Sequence, residues 1–141
     1  ASETYHRCAL LVTTDVALLE QRTEQLATDC HWPILRVASL LSAPLIPILP
    51  GRRPRMAQSL LRQRLDQAAP GPLICADIAL LFEPALHLDP LALLCTASRQ
   101  LPLVVAWPGH YDGGVLSYAV PEHAHYHTWP NPPVRVYLLE Q

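Results

Sequence analysis

The chain contains no lysine; its ten basic residues are all arginine. It has five glycines, and none precedes Gly51. Together these absences exclude an ordinary phosphate loop near the amino terminus. Such a loop needs glycines to turn consecutive backbone N–H groups inward, and a lysine ammonium as a point charge on the terminal phosphates. Charge is scarce as well. Only 16% of the 141 residues are Asp, Glu, Lys or Arg, and the formal charge of −2 gives no general attraction to nucleic acid. No apolar run reaches membrane-spanning length, because residues 38–49 are interrupted by Ser42, Pro44 and Pro47. Residues 1–7 lack the zones of a signal peptide, which points to the cytoplasm. The four cysteines, Cys8, Cys30, Cys75 and Cys95, form no C-x-x-C pair and read as buried free thiols.

Half of the residues are hydrophobic, enough for one domain spanning residues 1–141 with a real core. Cys8–Thr13 reads as a first buried strand. Thr14 and Asp15 follow, and Val16, Leu19, Thr23, Leu26 and Cys30 then recur at helical spacing, with Asp15 as N-cap. Strand thus meets helix across two residues, where a nucleotide-binding relative carries its glycine-rich loop. Residues 33–37 read as a second strand. Residues 38–54 carry Pro44, Pro47, Pro50 and Pro54, which predicts an ordered apolar loop with one short helix at 38–42. Leu45, Ile46, Ile48 and Leu49 either pack on the domain or offer a partner surface. A helix follows to about Ala69, with Met56, Leu60, Leu61, Leu65 and Ala68 on its apolar face. Its arginines, Arg52, Arg53, Arg55, Arg62 and Arg64, have no interleaved aromatics and read as a solvated face rather than a nucleic-acid patch.

Leu73-Ile74-Cys75-Ala76 is apolar on both alternating faces, as in the middle of a parallel sheet, and ends in Asp77. An acid there lies at the carboxyl edge, where open α/β sheets bind ligands and where nucleoside triphosphatases hold Mg²⁺. Asp89-Pro90 is a helix start, and Pro102 ends that helix near Gln100. Residues 103–107 form the next strand, stopped by Pro108-Gly109, which puts Trp107 at the carboxyl edge beside Asp77. Asp112-Gly113-Gly114 joins a hairpin. His123, His125 and His127 recur at period two, which favours an exposed unliganded set over a metal face. Trp129-Pro130-Asn131-Pro132-Pro133 reads as a rigid linker into a last strand at 134–139, near a sheet edge.

The order from Asp77 onward resembles the BrxF family, small P-loop proteins of BREX phage-defence systems. The resemblance runs through Leu81-Phe82-Glu83-Pro84, Asp89-Pro90-Leu91, Leu93-Leu94, Ser98-Arg99, Val105-Ala106-Trp107-Pro108-Gly109 and Gly114-Val115-Leu116-Ser117-Tyr118-Ala119 to Pro121 and His123. It covers about the last seventy residues; the first half matches by layout alone. It implies a three-layer α/β domain with a mostly parallel sheet of P-loop-NTPase type and a small hairpin appendage. With a degenerate or missing phosphate loop, Asp77, Glu83 and Arg99 become the remnant of a nucleotide site, with no catalytic residue, cofactor or metal. The resemblance alone favours nucleotide binding, but the absent glycine loop and lysine oppose it, so the expected role is a non-hydrolysing adaptor among other BREX-type defence proteins. It would reach DNA indirectly, stay off the membrane, and be open to self-association. The alternative is an atypical site binding ATP and Mg²⁺ through Asp77, Glu83 and arginines such as Arg52, Arg53 or Arg99.

Overall fold

The computed structural model describes residues 7–83, 86–118 and 127–139. Strand and helix alternate as the hydrophobic periods require. In chain order they are β1 (Cys8–Thr13), α1 (Val16–Cys30), β2 (Ile34–Arg36), α2 (Val37–Leu45), α3 (Arg53–Ala68), β3 (Leu73–Ala76), α4 (Pro90–Ala97), β4 (Leu103–Asp112), β5 (Val115–Tyr118), β6 (His127–Pro130) and β7 (Arg135–Leu138). The parallel part of the sheet has the order β2-β3-β4-β1-β7, and β5 and β6 extend β4 as an antiparallel meander. The chain leaves β1 for the far edge at β2 and returns through β3 and β4. Crossovers of one hand then put α1 on one face and α2, α3 and α4 on the other. The architecture is α/β, with a mostly parallel open sheet and helices on both faces.

The two faces are unequal. Against α2, α3 and α4, the inward residues of β1, β3 and β4 (Leu10, Val12, Leu73, Cys75, Leu103, Val105) join Leu41, Leu61, Leu65, Leu91 and Leu94 in one large core. Each such side chain contributes about 1.5–3 kcal/mol when fully buried. Under α1 the core is thin: Leu19 meets Ala76 and Ala106, with Leu11, Ile34 and Leu139 around them. Small residues at Ala76 and Ala106 leave space between α1 and the sheet.

Three elements differ from the sequence expectation. The helix expected at 38–42 is α2, which starts directly after β2 and runs to Leu45 with Pro44 inside it. Pro44 lies in the last turn, so it forfeits one terminal bond instead of breaking a helix interior. Leu45 packs in the core, as one reading of that apolar segment has it, whereas Ile46 and Leu49 are exposed. The strand expected to stop at Pro108-Gly109 passes through them to Asp112. Residues up to Pro108 pair with β1, and those from Gly109 pair with β5. Proline is tolerated because it sits on the last rung of the parallel ladder. Finally, Trp129 and Pro130 belong to β6, paired to β5, and not to a linker. The Gly113-Gly114 hairpin is as expected, both glycines having positive φ (58° and 79°) as a primed turn requires. The last strand is β7, an edge strand parallel to β1.

Candidate functional site

The carboxyl ends of β1, β3 and β4 meet the first turns of α1. At the β1–α1 junction, Thr14 and Asp15 are the whole connection. Asp15 is held by the Thr13 hydroxyl, which accepts from its backbone N–H at 3.1 Å. Its own carboxylate accepts from the Leu18 N–H at 3.0 Å. The first turn of a helix is a ready anion site because its N–H groups are unpaired and its dipole is positive there. Here the chain supplies the anion itself.

Asp77 follows β3 in the left-handed region, with φ of 54°. Aspartate tolerates that conformation better than most residues. Its carbonyl accepts from the Ala38 N–H at 3.1 Å and so anchors the start of α2. Its carboxylate does not stand alone. Arg36, at the end of neighbouring β2, places Nη1 3.2 Å from Asp77 Oδ2. The same guanidinium pairs with both oxygens of Glu20, at 3.1 and 2.6 Å, and with Glu24 at 3.2 Å. Glu20 and Glu24 are one helical turn apart on α1, which turns both toward Arg36. Hydrogen bonding to Arg36 holds the Glu20 carboxyl below the usual carboxylate range. Its neighbour Glu24 is pushed up, because Glu20 stands beside it. Arg36 is held above its ordinary value, by Glu20 first and Asp77 second.

Beside this cluster, a cleft of about 220 Å³ runs under α1. Val16, Leu19, Ala76, Ile78, Ala79, Ala106, Pro108 and Tyr118 give it apolar walls, and Glu20 and Asp77 line it from the charged side. Sites for drug-sized ligands run about 300–1,000 Å³, so the cleft is smaller than a usual small-molecule site. With three carboxylates around one guanidinium, the local balance is 1 − 3 = −2, which repels phosphate. At this edge the α1 N-terminus is capped by Asp15, Asp77 is paired to Arg36, and the chain has no lysine to add.

Trp107 does not face the cleft beside Asp77 as the sequence suggested. Ala106 and Pro108 line the cleft, so by strand alternation Trp107 points to the other face, where it is fully buried. Its indole N–H donates to the Ser117 carbonyl at 3.0 Å. Gly109 makes that approach possible: a Cβ there would be driven into the Ser117 carbonyl oxygen and would crowd the indole nitrogen at 2.9 Å. Phe82 stacks on Tyr118 at 3.7 Å and meets Trp107 edge-on at 5.1 Å. Trp129 packs edge-on against Trp107 at 5.2 Å and donates to Asp89 at 3.1 Å. The conspicuous segments after Asp77 thus supply an aromatic wedge that fastens the meander to the parallel sheet.

The other sequence candidates disperse. Glu83 ends the short 3-10 turn after Asp77, and its charge reaches Tyr118, whose phenol is pushed up by burial first and Glu83 second. Arg99 follows α4 at the amino-terminal edge of the sheet, where its carbonyl accepts from the Arg7 side chain. It lies at the opposite edge from Asp77, and this chain does not bring the two together. Arg53 donates to the carbonyls of Ile48 and Ile46, closing the turn after α2, and Arg52 is exposed. His123 and His125 lie outside the described residues; His127 is exposed and packs on Trp129. Among the described residues, no group of three potential metal ligands occurs. None of the four cysteines forms a disulfide among the described residues, and Cys8, Cys75 and Cys95 are buried. Burial pushes the Cys75 thiol up to about 12.

Sequence reasoning missed Arg36, the residue that organises the site. The i, i+4 spacing of Glu20 and Glu24 was a usable signal, but their partner emerges only once β2 is placed beside β3. Compared with family models, curated proteins and solved structures, the chain has no match among any of the three.

Proposed function

We propose that the chain is a non-hydrolysing, P-loop-NTPase-like adaptor of a BREX-type anti-phage defence system, acting in the cytoplasm through protein–protein contacts. The defence assignment rests on the resemblance of the segments from Asp77 to His123. The P-loop-type reading is supported by a mostly parallel sheet in which β1 leads straight into α1 and β3 ends in an acid. One observation carries the non-hydrolysing part: the α1 N-terminus, where such a protein would hold phosphate, is closed by Asp15 across a two-residue connection. Other defence proteins are the partners on this reading, and DNA is reached through them.

The test is co-purification. The chain, tagged and expressed with the products of its genomic neighbours, is expected to retain at least one through size exclusion. A species that stays monomeric at high concentration and retains none contradicts the adaptor role.

A further inference from the structure

The adaptor reading requires a surface that recognises a partner, and the cleft under α1 has the chemistry to specify one. We infer that it receives an arginine side chain of a partner protein. The aliphatic stem would lie along Val16, Ala79 and Pro108, with the guanidinium beside Asp77.

Size, polarity and charge converge on this occupant. A cleft of about 220 Å³ suits a side chain rather than a cofactor. Its walls are apolar, as an aliphatic stem requires, and its charged side is acidic. Glu20 and Asp77 line the cleft and share one cation, Arg36, so 1 − 2 leaves one negative charge there uncompensated. Asp77 Oδ2 faces Arg36, while Oδ1 has no hydrogen-bond partner among the described residues, and the side chain is 43% exposed. Val16, 67% exposed in the first turn of α1, offers apolar surface at the mouth. Among cations, the planar guanidinium matches carboxylate oxygens and is more weakly hydrated than an ammonium, so it loses less on entering a half-covered site. The inference rests on the adaptor reading but fails separately from it: nucleotide binding would remove that reading, whereas the experiment below bears on the cleft alone.

The probe is the capped pentapeptide acetyl-Ala-Ala-Arg-Ala-Ala-amide, titrated into the ¹⁵N-labelled full chain and followed by NMR. Saturable shifts centred on Val16 to Glu20, Ala76 to Ala79 and Ala106 are expected. The peptide with citrulline, a neutral isostere of arginine, should bind about tenfold more weakly or not at all, consistent with loss of a charge-assisted contact. Asp77→Asn, which keeps a residue at ease with positive φ, should cost a similar factor. Ala79→Leu, at an exposed position on the rim, should weaken the peptide without unfolding the chain. Agmatine, the free amine with the same guanidinium, should bind more weakly than the peptide. Absence of saturable shifts, equal binding of the citrulline peptide, or indifference to Asp77→Asn would overturn the inference. Agmatine binding as tightly as the peptide would also overturn it, by assigning the cleft to a free small cation.

Discussion

Replacing Arg36 by Gln removes the one cation among three carboxylates while keeping a side chain of similar reach. Arg36 is 31% exposed, and its pair with Glu20 uses both oxygens at 2.6 and 3.1 Å. A well-formed bidentate pair reaches the upper end of the about 0–1 kcal/mol measured for surface bridges. The Asp77 pair contributes less, since that carboxylate is 43% exposed and held at 3.2 Å. Glu24 lies at the surface and adds no countable stability. The expected loss is about 1–1.5 kcal/mol, or roughly 3–6 °C in Tm for a domain of this size. Its pH dependence has a definite sign. Glu20 in the folded chain titrates below its ordinary value of 4.5, so the Arg36 contribution is full above that pH and lost as pH falls through the folded value. Thermal or urea unfolding of both proteins from pH 7 to 3.5 should show a gap that is constant down to about pH 5 and closes below it. Added salt should narrow the gap at pH 7. No gap at pH 7, or one that persists unchanged under acid, would refute the electrostatic account of this cluster.

Gly109→Ala should cost about 1–3 kcal/mol by pushing the Ser117 carbonyl off the buried Trp107 indole, seen as a lower denaturation midpoint and an altered near-UV dichroism. Phe82→Ala should cost about 3–5 kcal/mol, because the ring is 8% exposed and joins Trp107 to Tyr118; chemical denaturation measures it directly. Asp15→Ala should lose about 1 kcal/mol with its N-cap, again by denaturation. Metal analysis of untagged protein should find far less than one equivalent of zinc; a stoichiometric metal lost on His125→Ala would reverse that reading of the histidines.

Much of the fold was legible because it rests on local signals. Cys8–Thr13 and Leu73–Ala76 are apolar on both faces, Asp15 and Asp89 cap their helices through their carboxylates, and Gly113-Gly114 marks its turn. The errors arose where a proline was read as a stop. Pro44 ends α2 from within its last turn, and Pro108 sits where β4 passes from β1 to β5, so in both places the missing N–H costs little. Trp129-Pro130 resembles a linker until Trp129 finds Trp107 and Asp89, contacts far away in sequence. The site was half legible. Asp77 lies at the sheet edge as its strand implied, yet its pairing to Arg36 depends on β2 lying next to β3, which local pattern does not encode. Trp107 was misplaced because strand alternation decides its face, and the strand was taken to end there.

Calorimetric titration with ATP, ADP and GTP in the presence of Mg²⁺ tests the central claim most directly. A working phosphate site gains about 1.5–3 kcal/mol from each charge-assisted hydrogen bond. Without a lysine, and with the α1 N-terminus holding Asp15, several of these are forfeited. At about 1.4 kcal/mol per tenfold, a micromolar site moves toward millimolar. The account predicts heats no larger than dilution at micromolar nucleotide, for the wild type and for Asp77→Asn alike. Low-micromolar binding that Asp77→Asn abolishes would contradict it.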